Sequence, residues 1–183
     1  MNKLIPAVVG LMLAAPASAQ TVTPTGAAAP AAAGADVATV DAIIAALYDV
    51  ISGPAGQARD WNRFRSLFVS EARLVSAGVP RGGTMARARV LSIEDYVEAN
   101  GPVLEERGFF EREIGRVTER FENMVHAFST YESRSTADGA VFQRGMNSIQ
   151  LLHDGERWWI VTVMWWGVGP DFTISEKYLS KPS

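Results

Sequence analysis

The sequence predicts an α+β domain in which about three helices pack on one face of an antiparallel sheet. Three observations predict it. Apolar residues recur at steps of three and four between Thr39 and Gly108, whereas four β-rich runs follow Gly108, separated by a short polar link and by turns containing "ADG" and "DG". No segment after the first twenty residues is apolar enough to cross a membrane. Helices first and a long meander afterwards make an α+β fold with the helices on one side of the sheet.

The first twenty residues, "MNKLIPAVVGLMLAAPASAQ", read as a leader rather than as part of the fold. Lys3 supplies the positive start, Leu4 to Ala15 the apolar run, and Ala17 to Ala19 the small-x-small cleavage pattern, which places the cut after Ala19. The expectation is an exported, periplasmic protein whose mature chain has no membrane span. Residues 20–38 are rich in Ala, Pro and Gly and almost uncharged, and read as a flexible tether. The domain is expected over 39–175, with a C-terminal tail at 176–183. There are no cysteines, which excludes disulfides, a thiolate nucleophile and Cys-ligated metal. The formal charge is −3, without a basic cluster, and this argues against nucleic acid as a partner.

Val40, Ile43, Ile44, Leu47, Tyr48 and Ile51 share one face of a first helix, capped by Thr39 and stopped at Gly53-Pro54. A second helix fits "DWNRFRSLFV" behind an Asp60 cap, burying Trp61, Phe64, Leu67 and Phe68. "EARLVSAGV" reads as a strand, with "RARVLS" returning beside it. Ser92 opens a third helix with Asp95 as a weak capping-box partner, Gly101-Pro102 as its break and Gly108 as its end. The charge run "ERGFFERE" (Glu106 to Glu113) is expected to tuck Phe109 or Phe110 under the sheet edge.

The register of the meander decides which side chains meet. With "ADG" as a three-residue turn, Glu132 lies opposite Arg144 and Tyr131 opposite Gly145; with "DG" as a two-residue turn, Ser133 faces Arg144. A two-residue turn at Asp154-Gly155 puts Arg144 beside Trp165 and Asn147 beside Thr162. In the first register one face carries His126, Phe128, Glu132, Arg144, Gln150, Trp159 and Trp165. The other carries Ala127, Ser129, Tyr131, Asn147, Ile149, Leu151, Ile160 and Trp166.

This order of elements, closing on "DGERWWIVTVMWW" with Trp165 seven residues after Trp158, resembles the nuclear-transport-factor-2-like superfamily, which includes SnoaL-like polyketide cyclases and ketosteroid isomerases. "STYESR" followed by "RGMNSIQL" is similar to a subgroup of exported bacterial members. The resemblance implies a cystatin-like cone, a curved sheet wrapped around the helices with a pocket at its open end, and pairing of two copies through the outer sheet face. Tyr48 matches the first-helix Tyr that hydrogen-bonds substrate in ketosteroid isomerases. Their general base falls near Ser76 in "ARLVSA", and a lone serine cannot abstract a proton from carbon. His126 is the only strand His early enough for scytalone-dehydratase-like chemistry. Arg144 has no flanking strand Asp for an epoxide-hydrolase arrangement. Fold membership does not transfer a reaction.

The candidate catalytic residues are therefore Tyr48, Glu132 and Arg144, with no complete acid–base set. Glu132 and Arg144 read first as a sheet ion pair or interface, together with Trp159 and Trp165. The expected pocket comprises Tyr48, Trp61, Phe64, Phe68, Ser129, Tyr131, Asn147 and Trp166. Two histidines far apart support no metal site, and no cofactor motif is visible. The reading is an exported, homodimeric domain that holds a small apolar or amphipathic molecule. The alternatives are an isomerase, dehydratase or hydrolase, and a purely structural interaction module. An enzyme needs a pocket carboxylate or His with a displaced pKa, whereas a binder needs only shape and a few hydrogen-bonding groups.

Overall fold

A computed structural model describes residues 30–180. The leader and residues 20–29 of the expected tether lie outside the described residues. The tether's C-terminal end does not run free: Gly34–Val37 forms a short helix α1, Val37 is buried, and Asp36 accepts from Arg63 Nε at 2.7 Å. Val37 supplies the apolar group that the Ala-rich stretch before it lacks, so packing begins ahead of Thr39.

Helix α2 spans Val40–Ile51, and the Thr39 hydroxyl caps it by accepting from Ala42 N at 3.0 Å. Helix α3, Trp61–Ser66, starts on the Asp60 cap and is shorter than its apolar pattern suggests, because Phe68 already belongs to strand β1, Phe68–Gly78. Strand β2, Arg87–Leu91, returns antiparallel to β1. Helix α4, Ile93–Arg107, carries both hydrogen bonds of the capping box at Ser92 and Asp95. Gly101-Pro102 does not interrupt it. Gly101 lies flat against the Trp61 indole, and Tyr96, Val97 and Leu104 anchor the helix to the core on both sides of the proline. Gly108, at φ 69°, then turns the chain.

Strands β3 (Phe110–Phe121), β4 (Met124–Arg134), β5 (Val141–His153) and β6 (Trp158–Val168) form the expected meander. The sheet has six strands in the order β2-β1-β6-β5-β4-β3. It is mixed rather than purely antiparallel. The crossover through α4 carries the chain to the far edge, so β6 comes back beside β1 and parallel to it. The curved sheet closes around α2, and Ile43, Ile44, Leu47, Phe64, Phe68, Val125, Ile149, Leu151 and Ile160 fill the space between. Each such side chain contributes about 1.5–3 kcal/mol by leaving water.

The first hairpin adopts the register in which Glu132 faces Arg144 and Tyr131 faces Gly145, although a bulge near its tip pairs Arg134 with Val141 and leaves a six-residue loop. The second hairpin departs from expectation twice. Its loop has four residues, Asp154–Arg157, because the Asp154 carboxylate accepts from the backbone N–H groups of Glu156 and Arg157. Val161 is then an extra residue, since Leu151 pairs with Ile160 while Gln150 pairs with Thr162. Arg144 consequently sits opposite Val168, and Asn147 opposite Trp165. A bulge reverses the alternation of every later side chain. Trp165 therefore joins Ile160 on the inner face, and Trp166 turns outward.

The C-terminal tail is docked at its described end. The turn Glu176–Tyr178 crosses the outside of β3 and β4, Thr130 Oγ1 donates to Tyr178 O at 2.7 Å, and Arg116 N donates to Ser180 O at 2.8 Å. A side chain at Gly115 would start 2.6 Å from Leu179 Cα.

Arg59 is buried and fastens the open end of the helical layer. Its guanidinium donates to the carbonyls of Ile51 (3.0 Å), Gly53 (2.7 Å) and Leu104 (3.0 Å), and to that of Gln57. It thus ties the end of α2, the following loop and the last turn of α4. Arg59→Met leaves these carbonyls without a donor, and the expected loss is about 3 kcal/mol or more in urea unfolding, with the slope unchanged.

Candidate functional site

Helices α2, α3 and α4 do not fill the inside of the sheet completely. They leave a cavity of about 210 Å³. Its apolar walls are Leu47 and Ile51 from α2, Phe64 from α3, Leu104 from α4, Phe109, Leu74 from β1, and Val163 and Trp165 from β6. Tyr96 stacks on Phe64 at 5.3 Å and meets Trp165 edge-on at 6.0 Å, so one wall is an aromatic sandwich of fixed geometry. Tyr48, Glu111, Gln143 and Asn147 supply polar groups on the side of β3 and β5, and Asn100 and the Tyr96 hydroxyl supply them from α4.

Two of these belong to a buried chain of hydrogen bonds that begins at an ion pair. Arg116, almost wholly buried, binds Glu113 through two nitrogens at 2.8 and 2.7 Å, and reaches Asp41 on α2 at 2.5 Å. The Ser129 hydroxyl donates to Glu113 at 2.5 Å. With that proton committed, the 2.7 Å contact between Ser129 and Tyr48 has Tyr48 as donor. Asn147 Nδ2 in turn donates to the Tyr48 oxygen at 3.0 Å. The Tyr48 proton therefore points into the protein wall and not at the cavity. The resemblance implied a substrate-binding donor at this position; Ser129, whose own proton goes to Glu113, accepts the Tyr48 proton instead. Burial also drives the Tyr48 pKa far above the usual phenol range, so the hydroxyl stays protonated.

Glu111 is the acid–base group missing from the candidates read off the sequence. It sits one residue into β3, opposite Ser133, whose hydroxyl donates to its carboxylate at 2.8 Å. Burial among the cavity walls raises its pKa to about 7, partly offset by Ser133 and Asn147. Glu111 and Tyr48 also line a second, more open cleft of about 420 Å³ at the β3 edge, so the carboxyl group stands between an enclosed apolar space and one that reaches solvent. The alternation of "FERE" puts Glu111 and Glu113 on one face, near the small Ser133 and Ser129 of β4, without telling the two glutamates apart.

The remaining expected residues are distributed as follows. Phe64 and Asn147 line the cavity with Tyr48; Trp61 and Phe68 pack in the layer behind it, and Ser129 holds Tyr48 from beneath. Tyr131 is buried on the inner face over Gly145, where only a glycine leaves room for its ring. Trp166 is not a cavity residue, and Trp165 is, for the bulge reason given above. Glu132 and Arg144 are on the outer face, away from the cavity. They face each other in register, but their closest charged atoms are 3.9 Å apart. The partners that hold Glu132 are Arg112 at 2.7 Å and Arg134 at 2.5 Å. Trp159, also outward, donates to Asp154 at 2.6 Å under the Arg157 guanidinium. His126 contacts Ser148 at 2.8 Å on the outer face, and Ser76 lies in a shallow groove of the β1–β2 hairpin. Among the described residues no cluster of His, Asp or Glu is arranged to hold a metal, and no helix is long and apolar enough to cross a membrane.

Comparison with known proteins places the architecture. A solved protein of unknown function with a cystatin-like fold from Nostoc punctiforme superposes with a TM-score of 0.55 at 9% identity, covering 73% of this chain and 90% of its own. An uncharacterized protein with a cystatin-like fold from Caulobacter vibrioides gives 0.52 at 15% identity, covering 72% and 89%. The beta subunit of a proposed aromatic-ring-hydroxylating dioxygenase from Novosphingobium aromaticivorans gives 0.51 at 15% identity, covering 80% and 95%. No protein-family model and no curated protein matches the chain. The fold is cystatin-like, a curved sheet around few helices, as the order of elements implied.

The raised pKa of Glu111 has a consequence for stability. The folded form binds this proton more tightly than the unfolded chain, whose carboxyl has its ordinary value near 4.5. The stabilisation is complete below about pH 4.5 and is lost as the pH rises through about 7. Glu111→Gln should flatten the pH dependence of the urea midpoint across that window, removing a slope worth on the order of 1–3 kcal/mol.

Proposed function

We propose that the protein is an exported domain that binds one small amphipathic molecule in the cavity between α2, α4 and the sheet, and that Glu111 exchanges a proton with it. The observation that carries the reading is Glu111 itself, a carboxyl group in an apolar cavity whose pKa of about 7 lets it donate or accept near neutrality. The volume supports a ligand of about one ring, since an apolar cavity of roughly 150 Å³ is enough for benzene. The proposal includes a second copy covering the outer sheet face. Phe121, Met124, Leu152, Met164 and Trp166 stand exposed there, and an apolar face of this kind is a common protein-binding surface.

Native mass spectrometry of protein recovered from its own compartment tests both parts. The expected species is a dimer carrying one small molecule per chain, lost on filling the cavity by Leu104→Trp. A dimer without an adduct would leave the structural-module reading in its place.

A second reading is favoured by the same carboxylate. Glu111 gives the fold the general base that Ser76 cannot supply, so the site has the parts for an isomerase- or dehydratase-type proton transfer. In D₂O near pH 7, the protein should speed exchange of the α-protons of cyclohexanone, followed by NMR. Glu111→Gln should reduce that exchange by about 100-fold or more. Equal rates in the two proteins would limit the site to binding.

A further inference from the structure

The cavity contains a donor that nothing in the protein uses. The Tyr96 hydroxyl makes no hydrogen bond among the described residues, and its ring, held against Phe64 and Trp165, lines the cavity. A hydroxyl at a cavity wall with no partner in the protein is free to donate to an occupant. The Glu111 carboxyl is near enough to raise the Tyr96 pKa electrostatically. Tyr48 is unavailable because its proton goes to Ser129, and its oxygen already accepts from Asn147. No Lys, Arg or His lines the space, so an anionic ligand would meet Glu111 without any compensating charge.

We propose that Tyr96, and not Tyr48, is the hydrogen-bond donor to the ligand, and that the ligand is a neutral one-ring molecule bearing an acceptor oxygen such as a ketone carbonyl. This rests on the reading of the cavity as a small-molecule site. The ring lies in the aromatic and aliphatic part of the cavity, and the carbonyl oxygen takes a hydrogen bond from Tyr96. When Glu111 is protonated, its O–H is a second donor lining the same cavity. Tyr48 is a positioning residue: it holds Asn147 and joins α2 to the sheet, and the polarity of its hydrogen bonds is set by Arg116 and Glu113.

The test uses two probes of nearly the same shape, cyclohexanone and methylenecyclohexane, which differ in whether the exocyclic atom is an acceptor. Binding is followed by chemical-shift titration of the Trp165 indole in the intact protein. The wild type should prefer the ketone. Tyr96→Phe, which keeps the ring stack, should reduce ketone affinity about three- to twelvefold and leave the hydrocarbon unchanged, as removal of one neutral hydrogen bond does. Tyr48→Phe should retain the preference. If the preference survives Tyr96→Phe, or passes to Tyr131→Phe, the assignment of Tyr96 is overturned while the cavity reading stands. If neither probe perturbs Trp165 in the wild type, the cavity reading itself falls, and this inference with it.

Discussion

The buried pair of Arg116 and Glu113 is the constraint on which the inner face depends. A carboxylate and a guanidinium inside a small domain are costly unless both are saturated with partners. Here Glu113 takes two bonds from Arg116 and one from Ser129, and Arg116 spends its remaining nitrogen on Asp41 of α2. Because an ionised carboxylate only accepts, every hydroxyl behind it is oriented in turn. A charge at the sheet edge thereby decides the direction of a proton two side chains away, at Tyr48. It also fastens α2 across the sheet, which keeps the helix from sinking into the space below.

That space exists because the two ends of the helical layer are held apart by different means. Near α1, apolar packing of Val37, Ile43 and Ile44 closes the layer completely. At the other end a buried arginine, Arg59, gathers backbone carbonyls from α2 and α4 that no helix can satisfy by itself. Polar fastening does not need dense side-chain packing, so a void can persist beside it. The void is lined on one side by rings locked against each other and on the other by the polar chain. Glu111 falls at the seam between them, where burial is deep enough to shift its titration and the β3 edge is close enough for solvent to reach it.

Much of the fold was legible in the sequence, for identifiable reasons. Thr39, Asp60 and Ser92 announce helices because their side chains have a fixed job at the first turn, and Gly108 ends α4 because its backbone conformation disfavours other residues. The pairing of Glu132 with Arg144 is one of the two registers the sequence allowed, although the loop that joins them has six residues and not the three of "ADG". What could not be read were features with no local signature. Nothing in "WWIVTVMWW" marks Val161 as the unpaired residue, and that one residue reassigns Trp165 and Trp166. Asp154-Gly155 suggests a two-residue turn until the carboxylate is seen holding two further N–H groups. Glu111 was hidden in a charge run. Glutamates with the same local chemistry surround it, and only the arrival of α2 and Tyr96 from distant parts of the chain distinguishes it. The attractive pair Glu132–Arg144, by contrast, turned out to serve a surface cluster.

The bulge at Val161 also bears on how this cavity can change over evolutionary time. Substitutions in β6 alter the wall by degrees, because each side chain keeps its side of the sheet. Losing Val161 would join Ile160 to Thr162 in a regular strand with every pair to β5 intact, so Trp165 would stay inside and Trp166 outside. The cavity wall would survive the change, while the count of residues along the strand would shift by one. An alignment that slides by one position across this strand will compare one protein's interior with another's exterior.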